Sequence, residues 1–74
     1  MQLSARNQIP GTIVEIDLGV VTAEVVIDIG QSNTIVSVIT RGSVERLGLK
    51  VGDRVIAVLK ATDVMVGIPD ASDA

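Results

Sequence analysis

The chain is 74 residues long, 47% apolar and 20% charged, with a formal charge of −3 and no cysteine, histidine or aromatic residue. Those absences exclude disulfides, thiolate or imidazole metal sites, a cysteine nucleophile and a histidine base. They also remove base-stacking platforms, and the six basic residues stand singly, so no nucleic-acid footprint exists. No apolar run reaches the roughly 20 residues of a spanning helix, and the start lacks the apolar segment of a signal peptide. No membrane partner and a cytoplasmic location are therefore expected. One domain fits this length, and its core must be Val, Ile and Leu. So apolar a composition in so small a chain favours an oligomer that shares its core among copies.

In chain order, residues 3–9 alternate weakly, with Ser4 and Arg6 on one side at strand spacing. A hydroxyl beside a guanidinium can grip an anion, but from composition alone a solvated edge with a surface arginine is the favoured reading. Pro10-Gly11 signals a turn. Residues 12–18 follow as a strand whose in-facing set is Val14, Ile16 and Leu18. After Gly19, residues 20–29 form a long strand with Val21, Ala23, Val25, Ile27 and Ile29 on one face. Gly30-Gln31-Ser32-Asn33 is a hairpin loop. A third strand runs over 34–40. Apolar residues on both faces of these strands suggest that they are covered twice.

The apolar period turns helical in only one stretch, Ile39 to Leu49, where Val44, Leu47 and Gly48 share a face. Thr40 or Ser43 can cap its start and Gly48 can end it, which gives a helix of one or two turns. The same start presents hydroxyls and free N–H groups that suit an oxyanion. Gly52 sits in a tight turn at a positive-φ position. A fourth strand covers 54–60 with Val55, Ala57 and Leu59 on one side and Ile56 and Val58 on the other. A fifth covers 64–68, with Met65 as core filler. Residues 69–74 are read as a disordered tail. Five strands with a short helix between the third and fourth match an all-β, OB-like Greek-key barrel.

No acidic pair, activated serine or phosphate-binding glycine loop points to an enzyme. The residues alone lead to a small, anion-tolerant, oligomeric β-barrel. A ligand-free scaffold barrel, or a sensor acting through a separate partner protein, stays open as an alternative.

The block Ser4-Ala5-Arg6-Asn7-Gln8 with Gly11 resembles the opening motif of the molybdate-binding Mop domain. The blocks Gly19-Val20-Val21-Thr22-Ala23-Glu24-Val25, Ile39-Thr40 with Ser43, Leu47-Gly48, and Lys60-Ala61-Thr62-Asp63-Val64-Met65 agree with it. The resemblance covers residues 2–68 and identifies the chain as similar to molbindins, free-standing single Mop domains. It implies an OB-like fold whose strands are exchanged between subunits. It also implies a homohexamer, a trimer of dimers, that holds molybdate or tungstate at subunit interfaces for intracellular storage or buffering.

Residue by residue, the resemblance implies an oxyanion contact by Ser4 and Arg6, backbone help at Ala5 and Asn7, contacts from Lys60 and Ala61, and a shell completed by Thr40 and Ser43. Some relatives have serine where this chain has Ala61, so one hydroxyl is missing. A second oxyanion site would use the backbone of Gly19, Val20, Val21 and Thr22. Arg6 and Lys60, at opposite ends of the chain, are expected to reach one site from different subunits. No bare metal cation is called for. The chemistry is coherent: a tetrahedral dianion needs donors all round, and two cations with three hydroxyls supply them.

Overall fold

The computed structural model describes Met1 and residues 3–70. It is an OB-like half-barrel: a curled four-stranded antiparallel sheet with one short helix. The strands are β1 (Asn7–Leu18), β2 (Thr22–Gly30), β3 (Asn33–Thr40) and β4 (Arg54–Leu59), in the order β3-β2-β1-β4. Helix α1 (Arg41–Leu47) joins β3 to β4, and a single 3₁₀ turn (Ala61–Asp63) follows β4.

Strand β1 departs most from the sequence reading. The turn expected at Pro10-Gly11 is absent, and the strand runs through both residues. Its first half pairs with β4, placing Asn7 opposite Leu59 and Pro10 opposite Ile56; its second half pairs with β2. Pro10 therefore has a strand neighbour on one flank only, the setting in which a sheet tolerates a residue without an N–H. Gly11 sits where β2 crosses close by. A Cβ there would lie 2.6 Å from Ile27 Cγ2 and 2.7 Å from the Asp28 carbonyl oxygen. The dipeptide marks the point where β1 changes partners, and the glycine is needed for close approach rather than for a turn.

A β-bulge between Ile13 and Glu15 leaves Val14 without a partner and reverses the alternation. Ile13, which strict alternation puts outside, is the most deeply buried large side chain at 1% exposure, whereas Val14 and Leu18 are 46% and 47% exposed. Of the expected in-facing set only Ile16 packs against the core.

The other strands keep the expected faces, except that β2 starts only at Thr22, and Val21, expected on its inward face, lies in the preceding turn and is 70% exposed. Ala23, Val25 and Ile27 of β2 and Ala57 of β4 are buried, and together with Ile13 and Val44 they form the core. The β2–β3 hairpin turns through Gly30, Gln31 and Ser32, all at positive φ, with the Asp28 carboxylate accepting the Gly30 N–H at 2.8 Å. Helix α1 buries Val44, but Leu47, expected on the same face, is 62% exposed. Gly48 ends the helix in the left-handed region, at φ 64°. Gly52, at φ 97°, donates its N–H to the Ile13 carbonyl at 2.8 Å, and Ile13 N–H donates to Asp53 O at 3.0 Å. The loop before β4 is thereby zipped onto β1 at the bulge.

The fifth strand expected over 64–68 does not form within this chain. Met65, Val66 and Ile68 are each more than nine-tenths exposed, so Met65 fills no core here. β3 and β4 are the two edges of the sheet, and the segment after the 3₁₀ turn pairs with neither. Of the expected tail, residues 69 and 70 carry no regular structure. Residues 71–74 lie outside the described residues, as does Gln2 at the start of the expected domain.

Replacing Gly11 with alanine should push β2 off β1 and cost about 1–3 kcal/mol, as overpacking of a tight contact does. Urea unfolding followed by circular dichroism measures this, and an unchanged midpoint would show that β2 can yield.

Candidate functional site

The proposed anion-binding residues fall into two groups. The first lies at the open end of the β1–β4 ladder. Asn7 opposite Leu59 is its last pair, so Arg6 and Lys60 each stand one residue beyond it, Arg6 just before β1 and Lys60 just after β4. Ser4 and Ala5 lead into this end, and Ala61 opens the 3₁₀ turn that leads away from it. Ser4, Arg6, Lys60 and Ala61 are exposed, while Ala5 and Asn7 are half-buried. Neither Arg6 nor Lys60 has an ion-pair partner among the described residues. Gln8 donates its side-chain N–H to the Ala5 carbonyl at 2.8 Å and braces the bend at residues 4–6. Sequence reasoning gave Gln8 no role. Its place three residues after Ala5 was the available signal.

Antiparallel pairing of β1 with β4 places Arg6 and Lys60 of a single chain just past the same end of one ladder.

The second group lies beyond the opposite end of β1. Residues 19–22 form the tight turn between β1 and β2, closed by the Gly19 N–H donating to the Thr22 carbonyl at 2.8 Å. Thr22 pairs with Thr40 at the end of β3, next to the start of α1. Thr40 is the N-cap: its Oγ1 accepts the Ser43 backbone N–H at 3.0 Å and its own O–H donates to Ser43 Oγ at 2.7 Å. The Thr40 proton is thus committed, and the Ser43 hydroxyl keeps its proton for another acceptor. Arg41 adds a cation that the sequence reading passed over. Its guanidinium donates to Glu45 at 3.1 Å and to the Gly19 carbonyl at 3.3 Å, and its backbone N–H donates to Val21 O at 2.8 Å. The four-residue spacing of Arg41 and Glu45 was the visible trace of this arrangement.

Within one chain the two groups do not combine. The strand β1, 12 residues long, separates them, and no hydrogen bond or ion pair joins them among the described residues. The Ser4, Arg6, Lys60 and Ala61 end offers two cations and a hydroxyl. The Thr40 and Ser43 end offers the Ser43 hydroxyl as a donor, beside the backbone turn at residues 19–22.

Comparison with known proteins identifies the setting. The family model for the TOBE domain matches residues 3–66. The chain is 53% identical over 66 residues to molybdenum-pterin-binding protein 2 of Clostridium pasteurianum, covering 89% of this chain and 97% of that protein. It is 47% identical over 68 residues to a probable molybdenum-pterin-binding protein of Haemophilus influenzae, covering 92% and 99%. Among solved structures, apo MopII from Clostridium pasteurianum matches with a TM-score of 0.85 and 51% identity, over 90% of this chain and 100% of that one. The cytoplasmic molybdate-binding protein ModG, with molybdate bound, matches with a TM-score of 0.87 and 42% identity, over 93% of this chain and 49% of that one.

The capping geometry separates the two helix-start hydroxyls. Thr40→Ala removes the cap and should cost about 0.5–2 kcal/mol in a thermal or urea melt. Ser43→Ala leaves the Thr40 acceptor on the Ser43 N–H intact and should cost less than half as much. Equal losses would show that the two hydroxyls cap as a unit.

Proposed function

The chain belongs to the Mop (molbindin) family of TOBE-domain proteins, and on that premise we propose that it binds molybdate, and tungstate of the same shape and charge, as a non-catalytic cytoplasmic storage or buffering protein. The observation that carries this reading is that Arg6 and Lys60, neither of them ion-paired among the described residues, each stand one residue beyond the last pair of the β1–β4 ladder. Two adjacent cations with no carboxylate between them repel, and a dianion relieves that repulsion while accepting from both. Ser4 and the backbone of Ala5, Asn7 and Ala61 supply further donors.

The site is completed between copies. The Arg6–Lys60 end of one chain meets the Thr40–Ser43 start of another, because the two groups lie at opposite ends of β1 within a single chain. A second oxyanion site uses the backbone turn of Gly19, Val20, Val21 and Thr22. The domain spans residues 2–68. The assembly is a homohexamer, a trimer of dimers, and its motivation is the unfinished barrel. The edges β3 and β4 face each other across a groove lined by Ile35 and Val36 on one side and Ile56 and Val58 on the other. One strand there would close a five-stranded barrel. The apolar segment 64–68 of another copy is that strand, which gives strand exchange and covers Met65, Val66 and Ile68.

Thermal melts with and without sodium molybdate, with sodium sulfate as control, test the function. Molybdate should raise the melting temperature and sulfate should not, because the ligand binds only the folded assembly. Each of Arg6→Ala and Lys60→Ala removes a charge-assisted hydrogen bond worth about 1.5–3 kcal/mol, which lowers affinity roughly tenfold to a few hundredfold. Absence of any molybdate-specific rise in the wild type would refute the proposal.

Refolded mixtures test the shared site. Arg6→Ala mixed with Ser43→Ala should regain intact sites at some interfaces, since each chain supplies the end the other lacks. Arg6→Ala mixed with Lys60→Ala should regain none, because both cations come from one chain. The reverse pattern would place Arg6 and Lys60 on different subunits.

A further inference from the structure

Arg41 makes contacts that a surface cation on a short helix does not need. Its guanidinium reaches the Gly19 carbonyl at 3.3 Å across a separation of 22 residues. Its backbone N–H donates to the Val21 carbonyl at 2.8 Å. Glu45, one helical turn on, holds the guanidinium at 3.1 Å. One residue therefore grips two carbonyls of the same turn, at Gly19 and at Val21.

A trans peptide is planar, with its C=O and N–H pointing in opposite directions. Fixing the Gly19 carbonyl therefore fixes the direction of the Val20 N–H, and fixing the Val21 carbonyl fixes that of the Thr22 N–H. Both donors are aimed away from the helix. The Val20 N–H has no backbone partner among the described residues, and the Val20 side chain is 92% exposed. Among the described residues, no other backbone bond ties the outer part of the turn: its one internal bond runs from the Gly19 N–H to the Thr22 carbonyl and does not itself hold the Gly19–Val20 peptide plane.

We infer that Arg41 is a positioning residue, which orients the Val20 and Thr22 N–H donors of the backbone turn for an oxyanion. This rests on the second oxyanion site proposed above. The guanidinium does not itself contact the anion; it acts through the peptide planes. The backbone bond from Arg41 survives any substitution, so the side chain's own share is the orientation of the Gly19–Val20 peptide.

Amide NMR of the assembled protein titrated with sodium molybdate, with sodium sulfate as control, tests the inference in the wild type, Arg41→Ala and Arg41→Lys. In Arg41→Ala, exchange protection of the Gly19 N–H should fall about tenfold as the turn loosens. The molybdate concentration for half-response at the Val20 and Thr22 amides should rise at least about fivefold. Half-response at the Arg6 and Ala61 amides should stay within about twofold, a split that general destabilisation would not produce. Arg41→Lys, which can still donate to the Gly19 carbonyl, should recover most of the response. Unchanged Val20 and Thr22 responses in Arg41→Ala, or equal losses at both sites, overturn the inference. If the wild-type Val20 and Thr22 amides ignore molybdate, the second-site reading fails. A fall in Gly19 protection in Arg41→Ala would then reduce Arg41 to a structural clamp, and the inference falls with the site.

Discussion

The structure depends on one strand serving two ladders. β1 pairs with β4 over its first half and with β2 over its second, and it changes partners where Pro10, Gly11 and the Val14 bulge stand together. Each of these features has a separate physical task. Proline tolerates a flank without a ladder, glycine admits β2 at contact distance, and the bulge adds twist and reverses the inward face. Together they curl four strands into a half-barrel instead of a flat sheet. They also place the two groups of donor residues at opposite ends of β1, one beside Asn7 and one beyond Leu18. The separation of the donor groups is therefore a consequence of how the sheet curls.

The pattern of legibility follows from the same strand. Regular period-2 segments read correctly: the inward faces of β2 and β4, the hairpin at Gly30, the helix around Val44 and the positive φ of Gly52 were all visible in the residues. β1 was not, because Pro10-Gly11 has the same local signature whether the chain turns or another strand crosses it. Only the tertiary position of Ile27 and Asp28 decides between them. Bulges leave no compositional trace, so strict alternation assigned Val14 and Leu18 to the core and missed Ile13. The segment 64–68 has strand composition and pairs with no strand among the described residues of its own chain, and composition alone does not supply a partner. The donor blocks were legible through resemblance to a family. Their grouping was not, since it depends on the register of Asn7 with Leu59.

Charge does not oppose an anionic ligand here, despite a net charge of −3. At physiological salt, charges more than about 8 Å apart are largely screened, so the composition of the end of the β1–β4 ladder matters more than the total. That end carries Arg6 and Lys60, and the nearest acid along the chain, Asp63, closes the 3₁₀ turn three residues further on. At the other end, Glu45 takes up part of the charge of Arg41 and so directs it to a carbonyl rather than to solvent.

The open half-barrel and the separation of the two donor groups can be read as two aspects of one economy of size. A chain this short buries little core: among the described residues Ile13, Ala23, Val25, Ile27, Val44 and Ala57 are its buried apolar side chains, while Val36, Val38, Met65, Val66 and Ile68 stand exposed. If copies supply the missing strand and the missing donors to one another, the surfaces that complete the core also complete the site. Ligand binding and assembly are then linked thermodynamically: an anion bound between chains stabilises the assembled state by an amount that grows with its concentration over its dissociation constant. The same linkage requires the empty assembly to hold Arg6 close to Lys60 without compensation. Part of the affinity for a dianion would then be relief of a repulsion already built into the fold, and a single cation at the strand end could not provide that term.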